Sequence, residues 1–138
     1  MALTAVYNPT NHDFKLYDAS GKQIFLCLAW NDSVANNAWR SDHGCPPGTF
    51  DLGAPEANTT DQDKLEMGPW FIPVYNIPGH DGIGIHGGGS CNGTVAAAMA
   101  DHQQICPTLN CFRLFNVDLV RLVNQYGSQL AGAQYIVN

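Results

Sequence analysis

A histidine and a cysteine that could cooperate in acyl transfer each adjoin a short apolar run. His86 closes the strand-like segment 83–86, and Cys111 opens the segment 111–115. A thiolate is a strong nucleophile, and an imidazole within hydrogen-bond distance prepares the sulfur by accepting its proton. Arg113 lies two residues beyond the cysteine. In a strand it would face the same side, where its guanidinium could bind a substrate carboxylate in bidentate fashion. These residues predict thiolate acyl transfer on a substrate that bears a carboxylate.

Backbone groups near these residues are expected to complete the site. The imidazole needs a partner that fixes its tautomer, and no acidic residue adjoins the histidine. We therefore expect the carbonyl of Gly87 or Gly88 to accept its N–H. The N–H groups of the nucleophile and of Asn110 would supply an oxyanion hole. The glycine run 87–89 is expected to clear space beside the imidazole.

Each of these residues also has an ordinary structural explanation. A cysteine in an apolar strand is most often a buried packing residue, and a histidine after a strand is most often structural. An arginine near a cysteine is usually a surface ion-pair partner. The combination of the three with the glycine run favours the catalytic interpretation.

The elements that must position these residues belong to a small β-rich domain. The chain has 138 residues, of which 45% are hydrophobic and 13% charged, and this predicts one globular domain over residues 1–138. Fourteen glycines and eight prolines indicate many tight turns. The expected strands and helices are as follows: strands 5–8, 13–17, 23–28, 68–75, 83–86, 111–115 and 133–137, a short Ala-rich helix within 94–104, and a helix 117–126 capped by Asn116 and stopped by Gly127, with polar loops at 31–42 and 55–66.

Charge and hydropathy exclude several classes of function. The net charge is −6, and only six Lys and Arg are available to meet phosphates, which argues against a nucleic-acid partner. No apolar run approaches the roughly 20 residues of a membrane span. The N-terminus lacks the basic and apolar regions of a classical signal peptide, so none is expected.

Five cysteines suggest two disulfides and one free thiol. Cys91 and Cys106 bracket a short excursion between the histidine and Cys111, and Cys27 and Cys45 are the other candidate pair. This scheme would leave Cys111 free, although any four cysteines allow three pairings. Disulfides would indicate an oxidising place of work, such as the periplasm or the extracellular space.

Three segments together resemble the catalytic signature of the L,D-transpeptidase (YkuD-like) family. That signature has a His-Gly element, a Ser/Thr-x-Gly-Cys-x-Arg segment and a helix that opens with Asn-x-Asp. The matching segments here are Ile85 to Ser90, Thr108 to Leu114 and Asn116 to Leu119. Upstream blocks at 46–53 and 68–82 extend the resemblance to roughly residues 45–125. The upstream block and the short chain are most similar to the compact L,D-transpeptidase-like toxins delivered by type VI secretion systems.

The resemblance implies a β-sandwich-like catalytic domain with one packed helix and a stapled loop near the site. It implies a cysteine acyltransferase acting on peptidoglycan stem tetrapeptides, with meso-diaminopimelate and D-alanine in the substrate, no cofactor, and an immunity protein as a further partner. The place of action would be the periplasm or outside the producing cell. The residue roles that it implies are Cys111 as nucleophile, His86 as base, Gly87 as its orienting carbonyl, Arg113 as a carboxylate-binding or geometry-holding group, and Asn110, Gly88 and Thr108 as further substrate-binding residues.

The chain also departs from the signature. Asn110 stands where the family usually has glycine, and Leu109 stands where it often has a second histidine. Asparagine tolerates a left-handed backbone better than most residues, so the turn could survive. A catalytically inactive peptidoglycan-binding module and a phage-borne wall enzyme are the alternatives. A metal site at His80 and Asp81 lacks strong ligand spacing and is not expected.

Overall fold

The structure, a computed structural model, describes residues 2–31, 33–35, 38–40, 45–108 and 111–138, with the backbone alone for 33–35 and 38–40. Strands dominate these residues, with three helices and one 3-10 turn at Ser90–Asn92. The elements are β1 Thr4–Asn8, β2 Asp13–Tyr17, β3 Gln23–Leu28, β4 Ser33–Ala35, β5 Ala38–Arg40, β6 Gly48–Leu52, β7 Glu56–Ala57, α1 Asp61–Met67, β8 Trp70–Tyr75, β9 Gly84–His86, α2 Val95–Ala98, β10 Phe112–Arg113, α3 Asn116–Leu130 and β11 Gln134–Val137.

Most strands join one sheet, in the order β10-β9-β8-β6-β11-β1-β2-β3, with β7 paired to β8 and β4–β5 forming a separate hairpin. The pairs β1–β11 and β9–β10 are parallel, and the others are antiparallel. Burial alternates along β2, where Phe14 and Leu16 face the core and Lys15 does not. This period of two is what an amphipathic strand requires.

The sheet curves until its two ends meet. Trp30, just after β3, exchanges backbone hydrogen bonds of 2.8 and 2.9 Å with Arg113 of β10. The Phe112 ring packs edge-on against Tyr7 and Tyr135, with ring centroids 5.1 and 5.0 Å away. Strand β10 is therefore held by β9 on one side and by Trp30 on the other, which fixes the backbone beside Cys111.

Helix α3 covers the sheet and protects its β3 edge. Leu119, Leu122 and Leu130 are fully buried in the core. The Tyr126 hydroxyl donates to the Ile24 carbonyl, and the Arg121 guanidinium donates to the Leu26 carbonyl, each at 3.1 Å. Edge carbonyls that are paired in this way cannot template a foreign strand.

The predicted fold class, mainly β with a packed helix and a stapled loop, is confirmed, as are the bounds of β2 and β3. The final strand is present but begins at Gln134, one residue later than expected. Two expected loops contain structure: 31–42 holds the β4–β5 hairpin, and 55–66 holds β7 and most of α1. Thr60 caps α1 by accepting a hydrogen bond from the Asp63 N–H at 3.1 Å, a capping signal that the sequence analysis missed. The expected strand 111–115 shortens to Phe112–Arg113, and the Ala-rich helix shortens to Val95–Ala98.

The expected start and end of the last helix are wrong. Asn116 is the first helical residue rather than the cap, because its side chain is bonded elsewhere, and Phe115 precedes the helix without a side-chain cap. The helix continues through Gly127 to Leu130, whose side chain is buried. Burial of this last turn outweighs the weak helix propensity of glycine. Among the described residues, no helix has the length and apolar character needed to cross a membrane.

Candidate active site

The parallel pair β9–β10 brings the candidate nucleophile and base to one side of the sheet. Phe112 pairs with Ile85 and Arg113 with His86, so Cys111 lies beside Gly84. The Cys111 thiol donates to the Gly82 carbonyl at 3.8 Å. The Gly84 N–H can donate to the same sulfur when it is a thiolate.

His86 is buried and has a fixed tautomer. Its Nδ1 lies 2.9 Å from the Gly87 carbonyl oxygen, which is the contact that the sequence analysis expected. Because a carbonyl only accepts hydrogen bonds, Nδ1 must carry the proton and Nε2 is left as the basic nitrogen of the neutral ring. The ring also stacks on Phe71, with centroids 6.0 Å apart.

Burial keeps both candidate catalytic groups neutral at rest. Burial, with a smaller contribution from the Arg113 charge, lowers the pKa of His86 to about 3. Burial raises the pKa of the Cys111 thiol, although the Gly84 N–H and the Arg113 charge act in the opposite direction. The pair at neutral pH is therefore a thiol and an imidazole rather than a thiolate–imidazolium ion pair.

Both groups line a cavity of about 330 Å³, whose other lining residues are Glu66, Met67, Ser90, Pro107, Thr108 and Arg113. The expected Cys111–His86 hydrogen bond is absent from these described residues, since the thiol points to the Gly82 carbonyl instead. The reason is the strand register, which places Cys111 beside Gly84, two residues before His86.

A second cavity of about 540 Å³ is lined in part by Gly82 and Ile83, just before β9. Gly82, whose carbonyl accepts the thiol hydrogen bond, is one of its lining residues. Phe71, Tyr75 and Ile77 give it apolar walls, and Glu56 and Asp81 contribute carboxylates. Cys111 itself lines the first cavity, and its hydrogen bond to Gly82 connects it with the wall of the second.

The Arg113 guanidinium is bonded to the backbone. It donates through Nη1 to the Cys106 carbonyl at 2.8 Å and the Pro107 carbonyl at 3.4 Å, and through Nη2 to the Glu66 carbonyl at 2.9 Å. The side chain is buried, and burial lowers its pKa to about 10, so it stays cationic at neutral pH. These contacts favour the geometry-holding role over bidentate binding of a substrate carboxylate.

The glycine run makes room for neighbouring segments and not for the imidazole, contrary to the expectation. A Cβ on Gly87 would overlap the Asn116 side chain, and one on Gly89 would overlap the Cys106 sulfur. Gly88 donates its N–H to Asn116 at 2.9 Å, and its carbonyl accepts from Gln103. These internal bonds do not support a substrate contact at Gly88.

The remaining predicted substrate-binding residues are Thr108 and Asn110. Thr108 lines the first cavity and donates its hydroxyl to the Cys111 carbonyl at 2.6 Å, so it also holds the backbone of the nucleophile. Asn110, and with it the predicted oxyanion hole, lies outside the described residues.

The disulfide scheme is half correct. Cys91 and Cys106 form a disulfide with a Cα–Cα distance of 5.8 Å, as expected. The Cys27–Cys45 pair is wrong: both carry free, buried thiols, so that the chain has three free thiols with Cys111. Cys27 lies on β3 near Asp118 and Arg121 of α3, whereas Cys45 donates its N–H to Asn31 at 2.6 Å.

Three buried amide side chains hold the site together through contacts that the sequence did not predict: Asn31, Gln103 and Asn116. Asn31 bridges the Cys45 N–H and the Cys111 carbonyl. The Asn116 side chain accepts from the Gly88 N–H and donates to the carbonyls of Ala98 and Ala100. The Gln103 side chain accepts from the Asn116 N–H and donates to the Leu114 carbonyl. Asn31 and Gln103 have no distinctive spacing in the sequence, and the Asn-x-Asp element that includes Asn116 does not reveal which groups its side chain bonds.

Solved structures of known proteins share this fold. They include the helical cell shape determining protein Pgp2 of Campylobacter jejuni (15% identity, TM-score 0.65, 99% of this chain and 47% of that one). An L,D-transpeptidase of Stackebrandtia nassauensis matches at 18% identity and TM-score 0.62, over 100% of this chain and 56% of that one. L,D-transpeptidase 1 of Mycobacterium tuberculosis matches at 13% identity and TM-score 0.61, over 99% and 61%. The chain thus has the L,D-transpeptidase fold and spans about half the length of these proteins.

Comparison with protein-family models and with curated protein sequences gave no match. The likeness is therefore one of fold.

Proposed function

We propose that the protein is a cysteine acyltransferase that acts on peptidoglycan stem tetrapeptides, as an L,D-carboxypeptidase or an L,D-transpeptidase. One observation carries the proposal: Cys111 and His86 line a single cavity, on adjacent parallel strands, in a fold shared with L,D-transpeptidases. The fold alone would support many activities, and the thiol and imidazole in one cavity point to this one.

In the proposed reaction, the Cys111 sulfur attacks the carbonyl carbon of meso-diaminopimelate at position three of the stem. The bond to the terminal D-alanine breaks, and a thioester forms. The thiol proton passes to His86 Nε2 and then to the leaving amine, so atoms and charge balance. This transfer requires the thiol to turn from the Gly82 carbonyl toward the imidazole, a rearrangement that substrate binding can drive.

Neutral resting groups suit this sequence of steps. A buried neutral imidazole accepts the proton only as the sulfur attacks, and the Gly84 N–H and the Arg113 charge favour the developing thiolate. Arg113 and Gly87 act as positioning residues in this scheme, and Thr108 contacts the substrate from the cavity wall.

The two cavities offer separate approaches to the acyl-enzyme. In this scheme the cavity that Cys111 and His86 line holds the acyl donor, and an acceptor arrives from the second cavity past Gly82. Water as acceptor gives carboxypeptidase activity, and an amine gives exchange or a cross-link. The carboxylates of Glu56 and Asp81 favour an acceptor with a positive charge.

We further propose that the protein acts outside the cytoplasm, as a secreted antibacterial toxin. The substrate lies there, and the Cys91–Cys106 disulfide suits an oxidising compartment.

Incubation of the pure protein with tetrapeptide muropeptides, followed by mass spectrometry, tests the activity. We expect loss of D-alanine or its exchange for an added D-amino acid. Cys111→Ala should abolish the reaction, because no other described residue of the cavity can form the thioester. Cys27→Ala is the matched control, since it removes a free thiol on β3 that does not line the cavity, and it should keep the activity.

An intact tetrapeptide would contradict the enzymatic proposal. Retained binding to sacculi in that case would identify a peptidoglycan-binding module instead.

A further inference from the structure

We propose that the Cys91–Cys106 disulfide is a positioning element of the candidate active site. It holds Arg113 beside Cys111, and full activity therefore requires that the disulfide be intact. This inference rests on the function proposed above. It assigns the disulfide a role in the reaction in addition to its role in the fold.

The disulfide joins two walls of the cavity that Cys111 and His86 share. Cys91 belongs to the 3-10 turn Ser90–Asn92, and Ser90 lines the cavity. On the other side, Pro107 and Thr108 follow Cys106 directly and line the same cavity. A covalent bond between residues that adjoin both walls limits how far the walls can separate.

The same bond supports the Arg113 guanidinium. Nη1 of Arg113 donates to the Cys106 carbonyl at 2.8 Å and to the Pro107 carbonyl at 3.4 Å. A Cβ placed on Gly89 would overlap the Cys106 sulfur and lie 3.1 Å from the Arg113 Nη1. The disulfide, the glycine and the guanidinium thus form one close-packed contact, which leaves the arginine little freedom while the bond is intact.

Arg113 in turn acts on the reacting groups by its charge. It lowers the pKa of the Cys111 thiol and also that of His86. If the carbonyls of Cys106 and Pro107 move away, the guanidinium loses two acceptors and can turn toward water. The positive charge of Arg113 is then less effective at favouring the ionised form of the Cys111 thiol.

The segment should loosen rather than unfold when the disulfide is absent. Asn92 donates to the carbonyls of Gly89 and Gln104, at 2.9 and 3.1 Å, and accepts from the Gln104 N–H at 2.9 Å. The two bonds to Gln104 cross the same gap as the disulfide and do not use its sulfur atoms. A folded protein without the disulfide can therefore be tested.

The main experiment compares the full chain with Cys91→Ser/Cys106→Ser. Alkylation of Cys111 by iodoacetamide is followed across pH by mass spectrometry of its peptide, which separates it from Cys27 and Cys45. We expect the pH midpoint of alkylation to move upward in the variant, and kcat for D-alanine release to fall on the order of tenfold to a hundredfold. An unchanged alkylation midpoint together with an unchanged kcat would overturn the inference.

The second measurement uses the wild-type protein and a phosphine reductant, with circular dichroism recorded alongside activity. Most cysteine enzymes keep or gain activity under reduction, whereas here activity should fall while the dichroism signal holds, and reoxidation should restore it. Activity that rises, stays constant, or falls only together with the dichroism signal would show that the disulfide serves the fold alone.

These readouts separate the inference from the function on which it rests. If the oxidised wild type releases no D-alanine, the proposed function fails. The alkylation midpoint would still report whether the disulfide positions Arg113 beside the thiol.

Discussion

At the scale of single residues, the site depends on which hydrogen bonds its polar groups make. His86 is held by one carbonyl, so its tautomer is fixed without an acidic partner. Arg113 bonds three backbone carbonyls and supports the cavity walls. Both side chains are buried, and burial is the largest influence on the pKa of each.

The buried imidazole should make the protein less stable in acid. Its pKa falls from 6.5 to about 3 on folding, so between these values the unfolded chain binds the proton and the folded chain does not. The free energy of unfolding should therefore decrease as pH falls through this window, by at most about 1.4 kcal/mol per pH unit from this residue. Urea unfolding of the wild type at several pH values measures the slope.

The control for this slope is His86→Gln, which keeps a polar side chain of similar size and cannot titrate. The difference in unfolding free energy between wild type and variant should shrink as the pH falls from about 6.5 to about 3. Parallel curves for the two proteins would contradict the assigned environment of His86.

At the scale of elements, a buried amide connects three segments that come from distant parts of the chain. Asn116 opens α3, and its side chain bonds the Gly88 N–H and the carbonyls of Ala98 and Ala100. Asn116 therefore ties the helix to the glycine run after β9 and to the end of α2. Because the Asn116 side chain is used in these bonds, it does not cap the helix. Asn116 is instead the first residue of α3, one position before the expected start.

Asn116→Ala should lower the free energy of unfolding by about 2–4 kcal/mol, because it leaves the buried Gly88 N–H and Ala98 carbonyl without this partner and removes a bond to the part-buried Ala100 carbonyl. Urea denaturation measures this loss. Asn124→Ala, on an exposed position of the same helix, is the matched control and should change stability by less than about 0.5 kcal/mol.

Asn116→Asp refines the test. It keeps an acceptor for the Gly88 N–H and removes the donor to Ala98 and Ala100, so it should also destabilise the protein. Equal stability of Asn116→Ala and Asn124→Ala would contradict the role given to Asn116.

At the scale of the whole molecule, one curved sheet presents Cys111 and His86 in a single cavity, in a chain about half as long as the solved proteins that share its fold. The net charge is −6, and the carboxylates of Glu56 and Asp81 give the second cavity an acidic lining, whereas the first cavity pairs Glu66 with the cationic Arg113. Such a surface favours substrates with an exposed amine.

The proposed place of action gives a cellular prediction. Expression directed to the periplasm of a bacterium should cause swelling or lysis, whereas cytoplasmic expression should be harmless, since the wall lies outside and the disulfide forms there. Microscopy and optical density report the outcome. Periplasmic Cys111→Ala should be harmless, and equal toxicity of the wild type in both compartments would contradict the toxin proposal.

The sequence by itself determined the β-rich class and the strands 13–17 and 23–28, and it indicated the Cys91–Cys106 pair and a carbonyl of Gly87 or Gly88 as the partner of His86. Alternating burial, turn residues and short-range geometry are local, and neighbouring residues specify them. Helix α1 was missed although its Thr60 cap is local, because the polar segment lacks an apolar face, and none of its residues is fully buried.

Only the tertiary structure decided the direction of the Cys111 thiol, the backbone partners of Arg113, the free state of Cys27 and Cys45, and the bonds of Asn116. Each depends on the register of two strands or on contact between segments far apart in the chain. A sequence motif specifies which groups are present, whereas the packing of distant segments specifies which of them meet.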